Sequence, residues 1–101
     1  MKASVIIPTK NPGKNFLEVI NAVLYQNTSF DYEILVIDSG SRDGTIELIK
    51  SLDIANPLKF YQIPPYEFGH GRTRNLGVSL TTGEFAVFLT HDAKPANIYW
   101  L

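Results

Sequence analysis

Residues Tyr32–Thr45, YEILVIDSGSRDGT, decide how the whole chain is read. Tyr32–Asp38 is a near-continuous apolar, β-branched run, the composition of a strand covered on both faces. The run stops at Asp38, and Ser39–Gly44 is dense in turn formers, with Ser41 or Asp43 placed to cap a helix. Thr45–Leu52 then carries Ile46, Ile49 and Leu52 at helical spacing. A buried strand, a short polar turn and an amphipathic helix make half of a βαβ unit.

The same unit recurs on both sides. Ala3–Pro8, ASVIIP, reads as a strand that breaks at PTKNPG, and Lys14–Gln26 sets Phe16, Ile20, Val23 and Leu24 on one helical face. Downstream, Leu58–Ile63 reads as a strand of mixed polarity, and so nearer an edge. A Pro- and aromatic-rich loop follows, PPYEFGHG, in which Tyr66 and Phe68, like Tyr61 before them, read as packing residues. Arg72–Leu80 is a short helix with Leu76 and Leu80 in register, and Glu84–Thr90, EFAVFLT, is a fourth strand expected to be buried on both faces. Strand–helix alternation predicts an α/β fold, a Rossmann-like and mainly parallel sheet of four strands in the order 3-2-1-4, with right-handed crossovers and helices on both faces. Asn97–Leu101 reads as the start of a further amphipathic helix. Residues 1–101 are therefore expected to form one subdomain, the N-terminal piece of a longer protein.

Composition narrows the function. The chain has 101 residues, 45% of them apolar and 19% charged, enough to build a packed core. Its 9 basic and 10 acidic residues give no general attraction to nucleic acid or to an anionic membrane. Cysteine is absent, which removes disulfide frameworks and thiolate zinc sites. The apolar run near Met1 is too short for a signal peptide, and no stretch approaches the roughly 20 residues that cross a bilayer.

In an open parallel sheet, ligands bind beyond the carboxyl ends of the strands. There PTKNPG, DSGSRDG and THDAKP are expected to converge. Neither GxGxxG nor GxxxxGK[ST] occurs, so a bound phosphate needs another counter-charge, such as a divalent cation on a carboxylate. Asp92, at the tip of the fourth strand, is the candidate, the alternative being a cap for a helix beginning near Pro95. Asp38 is either an acceptor for a base or ribose or a turn-forming residue. Asp43 is explained by the positive end of a helix dipole. Arg72 and Arg74, in GHGRTRN, are candidates for bidentate contact with a diphosphate or merely a solvated helix start, and His70 and His91 are auxiliary candidates. A receiver domain would carry an acidic pair where PTKN stands, and a sugar nucleotidyltransferase a Gly-rich, Arg-containing loop that NPGKN does not match.

Taken together, SVIIPTKN, EILVIDSGSRDGT and GRTRNLGVSLTTGEFAVFLTHDA resemble the N-terminal half of family-2 glycosyltransferases, inverting enzymes of the GT-A fold that use nucleotide sugars. FGHGRTRN and LTHDA are most similar to the rhamnosyltransferase-type branch. The resemblance implies that Pro8, Thr9 and Asn11 line the nucleotide base, that Asp38 contacts it, and that Arg74 lies near the diphosphate. It also implies that Thr90-His91-Asp92 stands where a DxD motif holds Mn2+ or Mg2+ against the donor. Only the final aspartate of that motif is kept, and Ser39 replaces the second acid of the commoner VDDGS. The implied donor is a dTDP- or UDP-sugar, the acceptor a glycan or lipid-linked glycan, and the workplace cytoplasmic and membrane-proximal. The general base is implied to lie beyond these residues, so this stretch alone is expected to bind donor without transferring sugar. A catalytically degenerate nucleotide-binding or scaffold module of the same fold is the alternative, kept open by Thr90.

Overall fold

The computed structural model describes residues 2–51, 58–91, 94, 100 and 101. Strands β1 (Ala3–Thr9), β2 (Tyr32–Asp38), β3 (Leu58–Gln62) and β4 (Phe85–Phe88) form one parallel sheet in the order β3-β2-β1-β4, as the alternation predicted. Helices α1 (Phe16–Leu24), α2 (Thr45–Ser51) and α3 (His70–Ser79) connect or flank them.

Strand side chains alternate between faces, so the apolar runs of β1 and β2 supply two cores. Val5, Ile7, Ile34 and Val36 pack with Phe16, Val19, Ile20 and Val23 of α1 and Ile49 of α2. On the other face, Ile6, Leu35 and Ile37 meet Ile63 and, from α3 and its end, Leu76 and Leu80. Helix α3 lies close against β1 because Gly77 has no side chain; a Cβ there would sit 2.7 Å from Ile6 Cγ2. Asp43, not Ser41, serves the start of α2, its Oδ1 accepting from Thr45 N at 3.1 Å and Thr45 Oγ1 at 2.6 Å. Among the described residues no helix is long and apolar enough to cross a membrane.

Strand β4 takes its expected place beside β1, at the end of the sheet, but is less buried than expected. It is shorter than its apolar run and leaves Phe85 60% and Phe88 39% exposed. An apolar run specifies a strand; it does not specify how far that strand is covered, and the helices here cover the faces of β1 and β2. Tyr61 and Tyr66, expected to pack, are exposed at 43% and 82%, and Phe68 at 39%. The fourth helix expected over Asn97–Leu101 falls largely outside the described residues.

At the amino end of the sheet a buried carboxylate ties three elements together. Glu33, on β2, accepts from Thr82 N at 3.3 Å and Thr82 Oγ1 at 2.8 Å, while Lys59 Nζ on β3 lies 3.1 Å from Oε1 as an ion pair without hydrogen-bond alignment. Burial pushes the Glu33 carboxyl up, but the hydrogen bonds from Thr82 and the ion pair with Lys59 outweigh it, so its pKa lies below the ordinary 4.5. A carboxyl held lower in the folded state stabilises above its unfolded pKa, and that stability is lost as pH falls through the folded value. Urea midpoints measured from pH 7 to 3 are therefore expected to fall steeply below about pH 4.5 in the wild type. In Glu33→Gln the fall is expected to be shallower, with stability at pH 7 already lower by about 1–3 kcal/mol. Parallel profiles would remove Glu33 from that role.

Candidate functional site

Two loops at the carboxyl ends of β1 and β2 are stitched to each other. Asn11 sits in the left-handed region (φ 46°), which asparagine tolerates better than most residues. In that conformation its N–H donates to Ser41 Oγ at 2.8 Å and its Oδ1 accepts from Arg42 N at 2.7 Å. Gly13 N donates to Asp43 Oδ2 at 2.7 Å, which helps hold the Asp43 carboxyl below its usual range against the opposing effect of burial. Lys10 Nζ reaches Ser39 O at 3.1 Å, and Ser39 N donates to Thr9 O at 3.0 Å.

Asp38 is the hub of this stitching and is fully buried. Oδ1 accepts from Thr9 Oγ1 at 2.7 Å and from Ser41 Oγ; Oδ2 accepts from Gly40 N at 3.1 Å and Ser41 N at 2.8 Å. A buried carboxylate is tolerated when donors replace its water, and four do so here. Both oxygens are thus committed to the protein, so the structure places Asp38 as the post that shapes the loops.

A cavity of about 340 Å³ opens beside this hub, at the carboxyl ends of β1 and β4. In the order β3-β2-β1-β4 that is where the direction of strand addition reverses, the position at which open α/β sheets take ligands. The end of β1 contributes Pro8, Thr9 and Lys10; the segment before α3 and α3 itself contribute Phe68, Thr73 and Arg74; the end of β4 contributes Phe88, Leu89, Thr90 and His91. Two cations, Lys10 and Arg74, thus meet an apolar and aromatic wall, with no carboxylate among these lining residues. Such a lining selects a ligand with an anionic group and an apolar or planar body.

Of the residues singled out from the sequence, Pro8, Thr9, Arg74, Thr90 and His91 are brought together here. Asn11 and Asp38 are not among the walls of this cavity, and the β2–α2 loop is hydrogen-bonded to the β1 loop beside it. Arg72 is not among the walls either, and its NH1 donates to Glu67 O at 3.5 Å. Asp92 and the side chain of His70 lie outside the described residues. Lys10, Phe68, Thr73 and Phe88 were not singled out as site residues. Lys10 was findable as the residue following the end of the central strand, whereas Phe68 and Phe88 carry no local signal.

For a Mn2+ or Mg2+ ion, the THD segment offers two described side chains. His91 Nδ1 is buried without a hydrogen-bond partner among the described residues, and Thr90 offers an exposed hydroxyl. No group of three or more His, Cys, Asp or Glu that could enclose a metal occurs among the described residues. A closed protein cage is therefore not formed by the described residues, and Asp92, the carboxylate expected to hold the ion, lies outside them.

Comparison with known proteins agrees with the fold. A sequence profile described as Glycosyl transferase family 2 matches residues 4–100. The O-antigen chain rhamnosyltransferase RfbN of Salmonella typhimurium is 40% identical over 98 residues, covering 96% of this chain and 30% of that protein. The glycosyltransferase AglE of Haloferax volcanii is 36% identical, covering 97% of this chain and 32% of that protein. Among solved structures, S. aureus TarS 1-349 in complex with UDP superposes with a TM-score of 0.83 at 31% identity, over 98% of this chain and 29% of that one. The same protein in complex with UDP-GlcNAc superposes with a TM-score of 0.77 at 33% identity, over 91% of this chain and 27% of that one. The chain thus spans 30–32% of the length of these two curated relatives.

Proposed function

The chain belongs to glycosyl transferase family 2, and from that premise we propose that residues 1–101 form the donor-binding subdomain of an enzyme that transfers a sugar from a nucleoside-diphosphate sugar, with inversion, to a glycan or lipid-linked acceptor. The carrying observation is the switch-point cavity that presents Lys10 and Arg74 against an aromatic wall. Arg74 meets the diphosphate with planar donors and Lys10 adds a second positive charge. Phe68 and Phe88 offer apolar surface to the base or sugar. Similarity to RfbN at 40% identity supports rhamnose as the sugar and hence a dTDP donor; the UDP complexes of TarS keep UDP as the competing base. Asp92, with Thr90 and His91 beside it, would hold the divalent cation, which when bound supplies charge neutralisation for the departing nucleoside diphosphate. The fixed loops position the donor, and the apolar wall excludes water from one side of it.

Calorimetric titration of the protein with dTDP, UDP and GDP, in Mn2+ and then in EDTA, tests this reading. Nucleoside diphosphate binding is expected, weaker by about tenfold or more in Arg74→Met, as the loss of a charged hydrogen-bonding partner implies. Asp92→Ala is expected to abolish the dependence on Mn2+. Diphosphate binding unchanged in Arg74→Met would move the donor site elsewhere. Binding that persists with neither metal dependence nor sugar transfer by the full-length protein would favour the degenerate module, the alternative that Thr90 in the first DxD position keeps open.

A further inference from the structure

The guanidinium carbon of Arg74 lies 5.2 Å from the centroid of the Phe88 ring, and both residues line the cavity. Phe88 is poorly explained as a core residue. It is the last residue of β4, sits opposite Ile6 in register, and remains 39% exposed while Ile6 is fully buried. Arg74 is likewise exposed on α3, where a long side chain would ordinarily sample water, and among the described residues no carboxylate pairs with it.

We propose that Phe88 is a positioning residue that holds the Arg74 guanidinium, still fully charged, at the mouth of the donor cavity. The reasoning turns on what kind of partner orients a cation. A carboxylate would fix the guanidinium but neutralise it and occupy its in-plane N–H donors. An aromatic face attracts the cation through its quadrupole and leaves those donors pointing outward in the guanidinium plane. That is the arrangement a bidentate contact with a phosphate oxyanion requires. Ordering the arginine before the ligand arrives removes part of the entropy that binding would otherwise lose. The two residues come from different elements, α3 and the end of β4, so the contact also couples the seating of β4 to the strength of the anion site. This role rests on the donor-site reading above.

The test separates the two. In the free wild-type protein, the Arg74 Nε–H resonance is expected to be shifted upfield by the ring current of Phe88, to lose that shift in Phe88→Leu, and to keep it in Phe88→Tyr. Affinity for UDP and for inorganic pyrophosphate is expected to fall about three- to tenfold in Phe88→Leu and to be restored in Phe88→Tyr. In an Arg74→Met background, Phe88→Leu is expected to have no further effect, since the pair acts as a unit. An unshifted Arg74 resonance in the wild type overturns the positioning role itself, as does an equal loss of affinity with and without Arg74. A shifted resonance in a protein that binds neither UDP nor pyrophosphate overturns the donor-site reading, and with it the use of the pair in binding.

Discussion

Asp38→Ala is expected to lower stability by about 3–5 kcal/mol and to abolish detectable nucleoside diphosphate binding along with it. The alanine leaves Gly40 N, Ser41 N and the hydroxyls of Thr9 and Ser41 facing a fully buried space without an acceptor. The hydroxyls can rotate to other partners, but the two amides are fixed by the turn. A buried donor stripped of its acceptor costs about 1–3 kcal/mol, so two amides and part of two hydroxyls account for the figure. For a small domain that is a large share of the total. Chemical denaturation followed by fluorescence reads the first effect, and titration with UDP or dTDP the second. The result also separates two roles. A residue that contacted the base would lose affinity when truncated yet leave the denaturation midpoint in place. The hydrogen bonds here require the midpoint to move first.

Asp38 also marks where sequence reading ends. Its residue type, at the end of an apolar strand, correctly drew attention, because a carboxylate in that position must have a partner. The identity of the partner was not legible: Thr9 is brought beside it by the β1–β2 register, in which Thr9 stands opposite Asp38. Strand order, by contrast, was expected correctly, with β1 between β2 and β4. The polarity of Leu58–Gln62 correctly marked β3 as an edge. The burial expected of β4, however, was too great: Phe85 and Phe88 are as apolar as any core residue yet lie exposed. Lys2 Nζ stands 5.1 Å from the Phe85 ring, and Arg74 stacks on Phe88, so both rings are faced by cations rather than by core. Composition records that a side chain is aromatic; whether its face is given to a neighbour in the core or to a cation depends on contacts between distant segments.

A second large loss is expected at a residue with no side chain at all. Gly83 precedes β4, and a Cβ placed on it would collide with Ser4 Oγ and lie 2.6 Å from both Ala3 C and Ser4 N. Two of those three atoms are backbone of the central strand, and the third is the hydroxyl that accepts from Gly83 N at 2.9 Å. None can retreat cheaply, since Ala3 and Ser4 are 4% and 1% exposed. The strain is relieved only if the segment carrying β4 moves off the sheet, which breaks the ladder that begins with Phe85 N donating to Lys2 O at 3.0 Å. Gly83→Ala is therefore expected to cost more than about 3 kcal/mol, above the usual range for an added methyl. Amide exchange of Phe85 and Leu89 is expected to accelerate well before that of β2. An alanine variant with a wild-type midpoint and protected amides at both positions would show that the contact yields. Because β4 carries Phe88, Leu89, Thr90 and His91 into the cavity, the same variant is expected to lose anion binding although Gly83 lies at the opposite end of the strand. Close packing of one backbone against another at the foot of β4 is thus a condition for the site at its tip.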